Sequence, residues 1–324
     1  MTTFHDHEAA AAAPAIAPGG PLVGAAAFVL LAANTLLWCT LLFLLALAKL
    51  VLPFARLRTP LDRSLNRVAT RWVAGNSTWM RLTQKTRWDI AGSAGFDRDR
   101  WYLVTCNHQS WVDIFVLQRV LNRRIPLLKF FLKRELIYVP VMGLAWWALD
   151  FPFMKRRSRK GAASTGRTWV EDAETSRRAC AKFARVPTSV MNFVEGTRAT
   201  AAKQAAQRSP YRHLLKPRTG ALAASLETLG EKFTTMLDVT IVYPGGVPSF
   251  WDFLCARVPD IVVRYRELPL PRRAPDAPES EGESRTGLAR WLSQVWAEKD
   301  AQIDAILAGT PGAPGAPASS APSR

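Results

Sequence analysis

At 324 residues, 48 % of them hydrophobic, the chain has ample material for a sizeable core, as one large domain or two modest ones. A formal charge of +17 implies an anionic partner, with nucleic acid and anionic lipid headgroups as the two obvious classes. Cys39, Cys106, Cys180 and Cys255 are widely spaced with no CxxC pair, which argues for buried thiols and against a disulfide framework or a zinc site.

In chain order, residues 1–21 are rich in Ala, Pro and Gly and are expected to be disordered. Residues 22–48 contain no charged side chain, and about 20 such residues suffice to span a bilayer core. A signal peptide fits poorly, because the run is long and is preceded by Asp6 and Glu8 rather than by Lys or Arg. The following flank carries Lys49, Arg56, Arg58, Arg63, Arg67 and Arg71 against Asp62, a bias that places this side in the cytoplasm. Residues 22–52 therefore read as an uncleaved anchor in the inner (cytoplasmic) membrane. A helix pair re-entering one leaflet, bent at Asn34-Thr35, is the competing geometry. Residues 53–87 read as basic amphipathic connecting helices, with Leu65, Val68, Trp72, Val73, Trp79 and Leu82 facing either a membrane interface or an ordinary core.

From 88 to 268 apolar strands alternate with helical stretches. Strands are expected at 88–90, 101–106, 125–131, 188–194, 239–243 and 261–267, and helices from 114, over 169–185 and over 221–229. The apolar run 136–147 is interrupted by Pro140 and Gly143 and followed by Asp150 and Lys155-Arg156-Arg157. It reads as a buried or interfacial segment, with a second membrane span as the weaker alternative. The alternation predicts an α/β fold, a single globular domain whose mainly parallel or mixed sheet is flanked by helices, preceded by the membrane-anchoring helical segment. A charged, Pro-rich linker (269–286), a packed helix (287–307) and a disordered tail (308–324) complete the chain.

Chemistry concentrates where the 101–106 strand ends, in Asn107-His108-Gln109-Ser110-Trp111-Val112-Asp113. Imidazole takes up and returns a proton near neutral pH, and a carboxylate on its far nitrogen fixes its tautomer. Residues five apart on one ideal helix lie about 140° apart around the axis, so His108 must sit in the loop and Asp113 in the first helical turn. Two bland readings compete. Ser110 and Asp113 fit a capping box, and with four His a His-x4-Asp pair arises by chance in about one sequence in five. Glu195-Gly196-Thr197-Arg198 ends another buried strand. There a Gly lets backbone N–H groups approach an anion and an Arg offers a planar fork matched to phosphate, although a plain turn with a surface ion pair would look the same. Arg156, Lys216 and Arg218 are further anion-site candidates, each with a solvated-face alternative. No GxSxG, GxxxxGK[ST], HExxH or GxGxxG motif occurs.

Four blocks in order, Asn107–Asp113 with its His-x4-Asp, Phe151-Pro152-Phe153-Met154-Lys155-Arg156, Phe193-Val194-Glu195-Gly196-Thr197-Arg198 and Val239-Thr240-Ile241-Val242-Tyr243-Pro244, resemble the glycerolipid acyltransferases typified by 1-acylglycerol-3-phosphate acyltransferases. Residues 129–140 and 238–243 look closest to the branch with lysocardiolipin-type acyltransferases and their bacterial relatives. Pro152 and Lys155-Arg156 depart from the commoner second block. The resemblance implies His108 as general base, Asp113 as its orienting carboxylate, and substrate binding by Asn107, Arg156, Glu195, Gly196, Thr197, Arg198 and Lys216. It implies no metal and no cofactor. An acyl-CoA or acyl-carrier-protein thioester is the donor and a lysophospholipid the acceptor, at a membrane surface of anionic lipids, with acyl-carrier protein a further candidate partner and no nucleic acid expected. The alternatives are the same chemistry on lysophosphatidylglycerol or lysocardiolipin, a membrane-tethered nucleic-acid-binding protein suggested by charge alone, and a non-catalytic membrane scaffold.

Overall fold

The computed structural model describes residues 19–52, 54–151, 153–154, 186–230, 232–271 and 281–309. Residues 1–18, residues 272–280 of the expected linker, the expected helix at 169–185, Arg156 and the tail from 310 lie outside the described residues. The first two elements are long helices, α1 (Pro21–Val51) and α2 (Ala55–Thr83). The strands are β1 (Arg87–Ser93), β2 (Trp101–Cys106), β3 (Leu128–Phe130), β4 (Leu132–Lys133), β5 (Phe153–Met154), β6 (Ser189–Asn192), β7 (Phe233–Val242) and β8 (Asp260–Pro269). Between them come α3 (Val112–Leu121), α4 (Met142–Ala148), α5 (Ala201–Gln207), α6 (Gly220–Leu229) and α7 (Phe250–Leu254), and α8 (Glu281–Leu307) follows the last strand.

Six strands form one sheet in the order β1-β8-β7-β2-β6-β3, and β4 pairs with β5 in a separate two-stranded ladder. The β7, β2, β6 and β3 strands run parallel, and β8 turns antiparallel against β7 and carries β1 along its outer edge. The sheet is therefore mixed with a parallel heart, as alternating strands and helices require. Strand alternation sorts β2 onto two cores. Tyr102, Val104 and Cys106 meet Val112, Val116 and Val120 of α3 and Trp79 of α2 on one face. Leu103 faces the other way, toward Leu222 and Leu229 of α6 and Leu288, Leu292 and Trp296 of α8. Each fully buried aliphatic side chain of α3 contributes about 1.5–3 kcal/mol.

The polar pair Asn34-Thr35 does not bend α1, which runs through it unbroken. An amide in an apolar helix needs partners, and α2 supplies them. Asn34 Nδ2 donates to Trp72 O (3.0 Å) and Asn76 Oδ1 (3.0 Å), Trp72 Nε1 donates to Thr35 Oγ1 (3.3 Å), and Asn76 Nδ2 passes the network to Gln118 of α3 (3.1 Å). The connecting region is thus one helix rather than two. The α1 helix is long and apolar enough to cross a membrane, and it also lies along the domain. A Cβ added to Gly24 near its start would meet Cys255 and Trp251 of the α7 region, and Lys49 near its end pairs with Asp62 (2.7 Å) and Asp150 (2.9 Å).

The apolar run 136–147 forms no second span. It folds as a 3-10 helix (Arg134–Tyr138), a turn through Pro140 and the seven-residue α4, which rises only about 10 Å. Gly143 is required there, since a Cβ would sit 2.0 Å from Ile137 O. Tyr138, Leu144 and Trp147 are exposed, and Ala145, Ala148 and Leu149 pack onto Cys39 and Leu42 of α1. The β7 strand starts six residues earlier than the apolar pattern indicates, because Asp238 inside it is buried against cations from elsewhere in the chain.

Candidate active site

The carboxyl ends of β7, β2 and β6 lie side by side, and the polar turns that follow them converge. This is where open parallel sheets place ligand-binding loops. The β2 strand ends at Cys106, and the next side chain extends the sheet by mimicking a strand. Asn107 Nδ2 donates to Ile241 O (2.8 Å) and Ile241 N donates to Asn107 Oδ1 (2.9 Å). Asn107 is 1 % exposed, and both ends of its amide are committed to the Ile241 backbone, so here it fixes the start of the His108 loop.

His108 and Asp113 come together as their spacing requires, with His108 in the loop and Asp113 in the first turn of α3. Nδ1 of His108 lies 2.9 Å from Asp113 Oδ2, which also accepts from Gln109 N (2.7 Å) and Ser110 N (2.9 Å). Tyr243 Oη donates to the other oxygen, Oδ1, at 2.6 Å. Burial and the neighbouring carboxylate push the Tyr243 phenol far up, so it remains a donor. A carboxylate only accepts, so a neutral imidazole bonded to it carries its proton on Nδ1 and its lone pair on Nε2. Phe193 stacks on the imidazole with centroids 3.9 Å apart and planes 16° apart, which holds the ring plane. The capping role of Asp113 is half present. Its carboxylate takes Ser110 N, whereas Ser110 Oγ accepts Val112 N (3.2 Å) and donates to Pro248 O (2.6 Å).

Glu195 is fully buried, and its oxygens hold two chain segments together. Oε1 accepts His108 N and Oε2 accepts Leu215 N, each at 3.0 Å. It therefore ties the His108 loop to residues 214–218, and its lone pairs are turned inward. Burial raises its carboxyl to about 7 from 4.5, opposed by the two backbone donors. A folded value above the unfolded one means that the folded chain holds the extra proton between these limits. The associated stability is full below pH 4.5 and is lost as pH rises through 7, a change of about 3 kcal/mol. Denaturant unfolding across this window should show that slope in the natural chain, and Glu195→Gln should flatten it.

The Glu195–Arg198 turn depends on Gly196, whose φ of +73° is unfavourable for any residue with a Cβ. Three cations line this turn. Arg198 is exposed with its guanidinium 5.2 Å from the Trp111 ring centroid. Lys203, in the first turn of α5, donates to Thr197 Oγ1 and Arg198 O, each at 2.9 Å. Arg218 N donates to Val194 O (2.7 Å), and its side chain lies over Gly196, with Cδ 3.4 Å from where a Cβ would stand. Lys216 is exposed, with its backbone N–H on Gln207 Oε1 (3.2 Å), and Arg218, two residues on, is the cation against the turn. Phe193 and Tyr243 stand in the third and fourth sequence blocks without an assigned role, and Lys203 carries no sequence signal of its own. Among the described residues no group of three or more His, Cys, Asp or Glu could hold a metal ion.

An imidazole held by a carboxylate beside a turn flanked by cations is an arrangement that can act on a hydroxyl next to an anionic group. Residues 87–244, just under half of the chain, match the family model described as Acyltransferase, and over that stretch the chain is similar to acyltransferases. It is similar to 1-acyl-sn-glycerol-3-phosphate acyltransferase gamma of Mus musculus, 27 % identical over 287 residues that cover 80 % of this chain and 70 % of that protein. It is also similar to 1-acyl-sn-glycerol-3-phosphate acyltransferase 3 of Arabidopsis thaliana, 25 % identical over 218 residues, 62 % of this chain and 52 % of that one. Among solved structures it matches the 1-acyl-sn-glycerophosphate (LPA) acyltransferase PlsC of Thermotoga maritima with a TM-score of 0.45 at 15 % identity, over 80 % of this chain and 94 % of that chain. The long apolar α1, together with this family, points to membrane association.

Proposed function

We propose that this protein transfers an acyl chain from an acyl-CoA or acyl-carrier-protein thioester to the free hydroxyl of 1-acylglycerol-3-phosphate, forming phosphatidic acid. The observation that carries the reading is the His108–Asp113 pair, 2.9 Å apart, beside a turn flanked by Arg198, Lys203 and Arg218. Nε2 takes the hydroxyl proton as the oxygen attacks the thioester carbonyl. The tetrahedral oxyanion collapses, the C–S bond breaks, and the thiolate takes the proton back from the imidazolium. The new ester and a free thiol leave, with no acyl-enzyme. Asp113 holds the imidazolium while it exists. The relatives' names support the choice of acceptor, and the three cations suit a phosphate monoester. The basic helix α2 and the charge bias after α1 support the inner membrane as the location, with the domain on the cytoplasmic side.

Membranes containing the protein, given a panel of lysophospholipids with each thioester donor beside a His108→Ala control, test this directly. Fastest turnover of 1-acylglycerol-3-phosphate is expected. A preference for lysophosphatidylglycerol or lysocardiolipin would move the acceptor and keep the chemistry, and a silent panel would defeat the proposal. Arg218→Ala should raise the KM for the phosphate-bearing acceptor about tenfold, the scale of one charge-assisted hydrogen bond, with little change in the KM of the thioester.

A further inference from the structure

Helix α8 lies outside the family-matched residues 87–244, yet two of its side chains and one of its backbone carbonyls hold a segment that leads into the site. Its apolar stripe of Leu288, Leu292, Val295, Trp296 and Ile303 is buried on the sheet face opposite α3. Lys299 is buried with them, its Nζ 2.8 Å from Asp238 Oδ1, 2.6 Å from Val239 O and 3.1 Å from Thr240 Oγ1. Thr105 and Arg266 complete the shell of Asp238 (3.1 and 3.2 Å). A buried ammonium ion tolerates little displacement from such partners, so the register of α8 on β7 is set there.

The next residue leaves the helix in a different direction. Asp300 Oδ2 accepts Arg212 N (2.7 Å) and Oδ1 accepts His213 N (2.8 Å). Asp304, one turn on, lies 2.7 Å from His213 Nε2, and Ser293 O accepts Tyr211 Oη (3.2 Å). Three positions of α8 thus grip three consecutive residues of one segment. That segment is the one that completes the active site. Two residues after His213, the buried Leu215 gives its N–H to Glu195, whose other oxygen holds His108 N, and Arg218 reaches the Gly196 turn.

We infer that Asp300 is a positioning residue for the acyl-transfer site: by taking two adjacent backbone N–H groups in one carboxylate, it fixes the 212–218 segment, and through it Glu195 and Arg218, against the catalytic loop. Neighbouring residues divide the work. Lys299 fixes the helix to the sheet, and Asp300 fixes the segment to the helix. Because Lys299 remains in place, removing Asp300 releases the two backbone N–H groups of Arg212 and His213 and loosens the segment without undocking α8, with Asp304 and Ser293 O still on its side chains. The activity arm of the inference rests on the proposed lysophospholipid reaction, and the exchange arm does not.

The test uses the full chain carrying Asp300→Ala or Asp300→Asn. Hydrogen exchange of 212–218 and of 292–303 is followed by mass spectrometry, beside steady-state rates with 1-acylglycerol-3-phosphate and acyl-CoA varied separately. For Asp300→Ala, exchange over 212–218 should rise about tenfold while 292–303 stays protected, the scale of losing a hydrogen-bond acceptor shared by two amides. The KM for the acceptor should rise about five- to tenfold, with the acyl-CoA KM unchanged. Asp300→Asn keeps one acceptor oxygen and should fall between Ala and the natural chain. A lower unfolding temperature with both KM values and the 212–218 exchange unchanged would overturn the inference, as would loosening of 292–303 in step with 212–218. A natural chain inactive on every lysophospholipid defeats the proposed function instead, and the exchange result still decides the clamp.

Discussion

Replacing His108 with Ala should lower acyl transfer by about 10²–10⁴-fold, the range associated with loss of a positioned general base. The fold should survive, because what His108 gives to the architecture comes from its backbone. Its N–H bonds Glu195 and its C=O accepts Ala199 N (2.7 Å), and Ala supplies both. What disappears is the imidazole at its carboxylate and the stack on Phe193. The checks are initial rates at saturating donor, the thermal midpoint and the membrane-bound fraction. Loss of rate with the other two unchanged is the expected pattern. Turnover within a few fold of the natural chain would remove His108 from the mechanism.

Asp113→Asn should cost about 10³-fold in kcat, comparable to removal of the base it serves. Asp113 meets four donors: His108 Nδ1, Gln109 N, Ser110 N and Tyr243 Oη. An asparagine offers one oxygen and one NH2 group, so its NH2 must face either the Tyr243 hydroxyl or the three-donor cluster at Oδ2. In the first arrangement the imidazole keeps a neutral acceptor and loses the charge that steadies its protonated form. In the second, Nδ1 must accept, which moves the proton to Nε2 and disables the base. Leaving buried donors unmet costs about 1–3 kcal/mol each, so the variant should also melt earlier than His108→Ala. Rates and melting curves of the two variants, measured side by side, separate these effects. An Asp113→Asn variant with near-natural kcat would reduce Asp113 to the helix-starting role that its place after Ser110 allows.

Much of the architecture was legible because burial patterns are local. The 101–106 run, the polar turn and the apolar 114–117 step specify strand, loop and helix without reference to anything distant. The 22–48 run specifies one long apolar helix in the same way. Local pattern failed where a polar group is compensated from afar. Asp238 interrupts an apolar run, so the start of β7 was hidden. The strand is continuous because Lys299, about 60 residues later, and Arg266 neutralise that carboxylate. Asn34-Thr35 left a bend open as the competing geometry for the same reason, since α2 satisfies both side chains within an unbroken helix.

Within the site the division follows sequence distance. The five-residue spacing of His108 and Asp113, with a turn between them, constrained both to one place, and chain geometry over so short a span leaves few alternatives. The roles of Asn107, Glu195 and Tyr243 depend on partners 134, 87 and 130 residues away. Those partners meet only because β7, β2 and β6 are neighbours in the sheet. Sheet order also decides that Glu195, which as a sequence element looked like a phosphate-side residue, turns inward to hold His108, and that Arg218 rather than Lys216 lies over Gly196. Composition and periodicity thus determined a membrane-associated α/β chain with one His–Asp pair. Which residues support that pair was decided by strand order, because buried hydrogen bonds are satisfied by whatever the neighbouring strand presents.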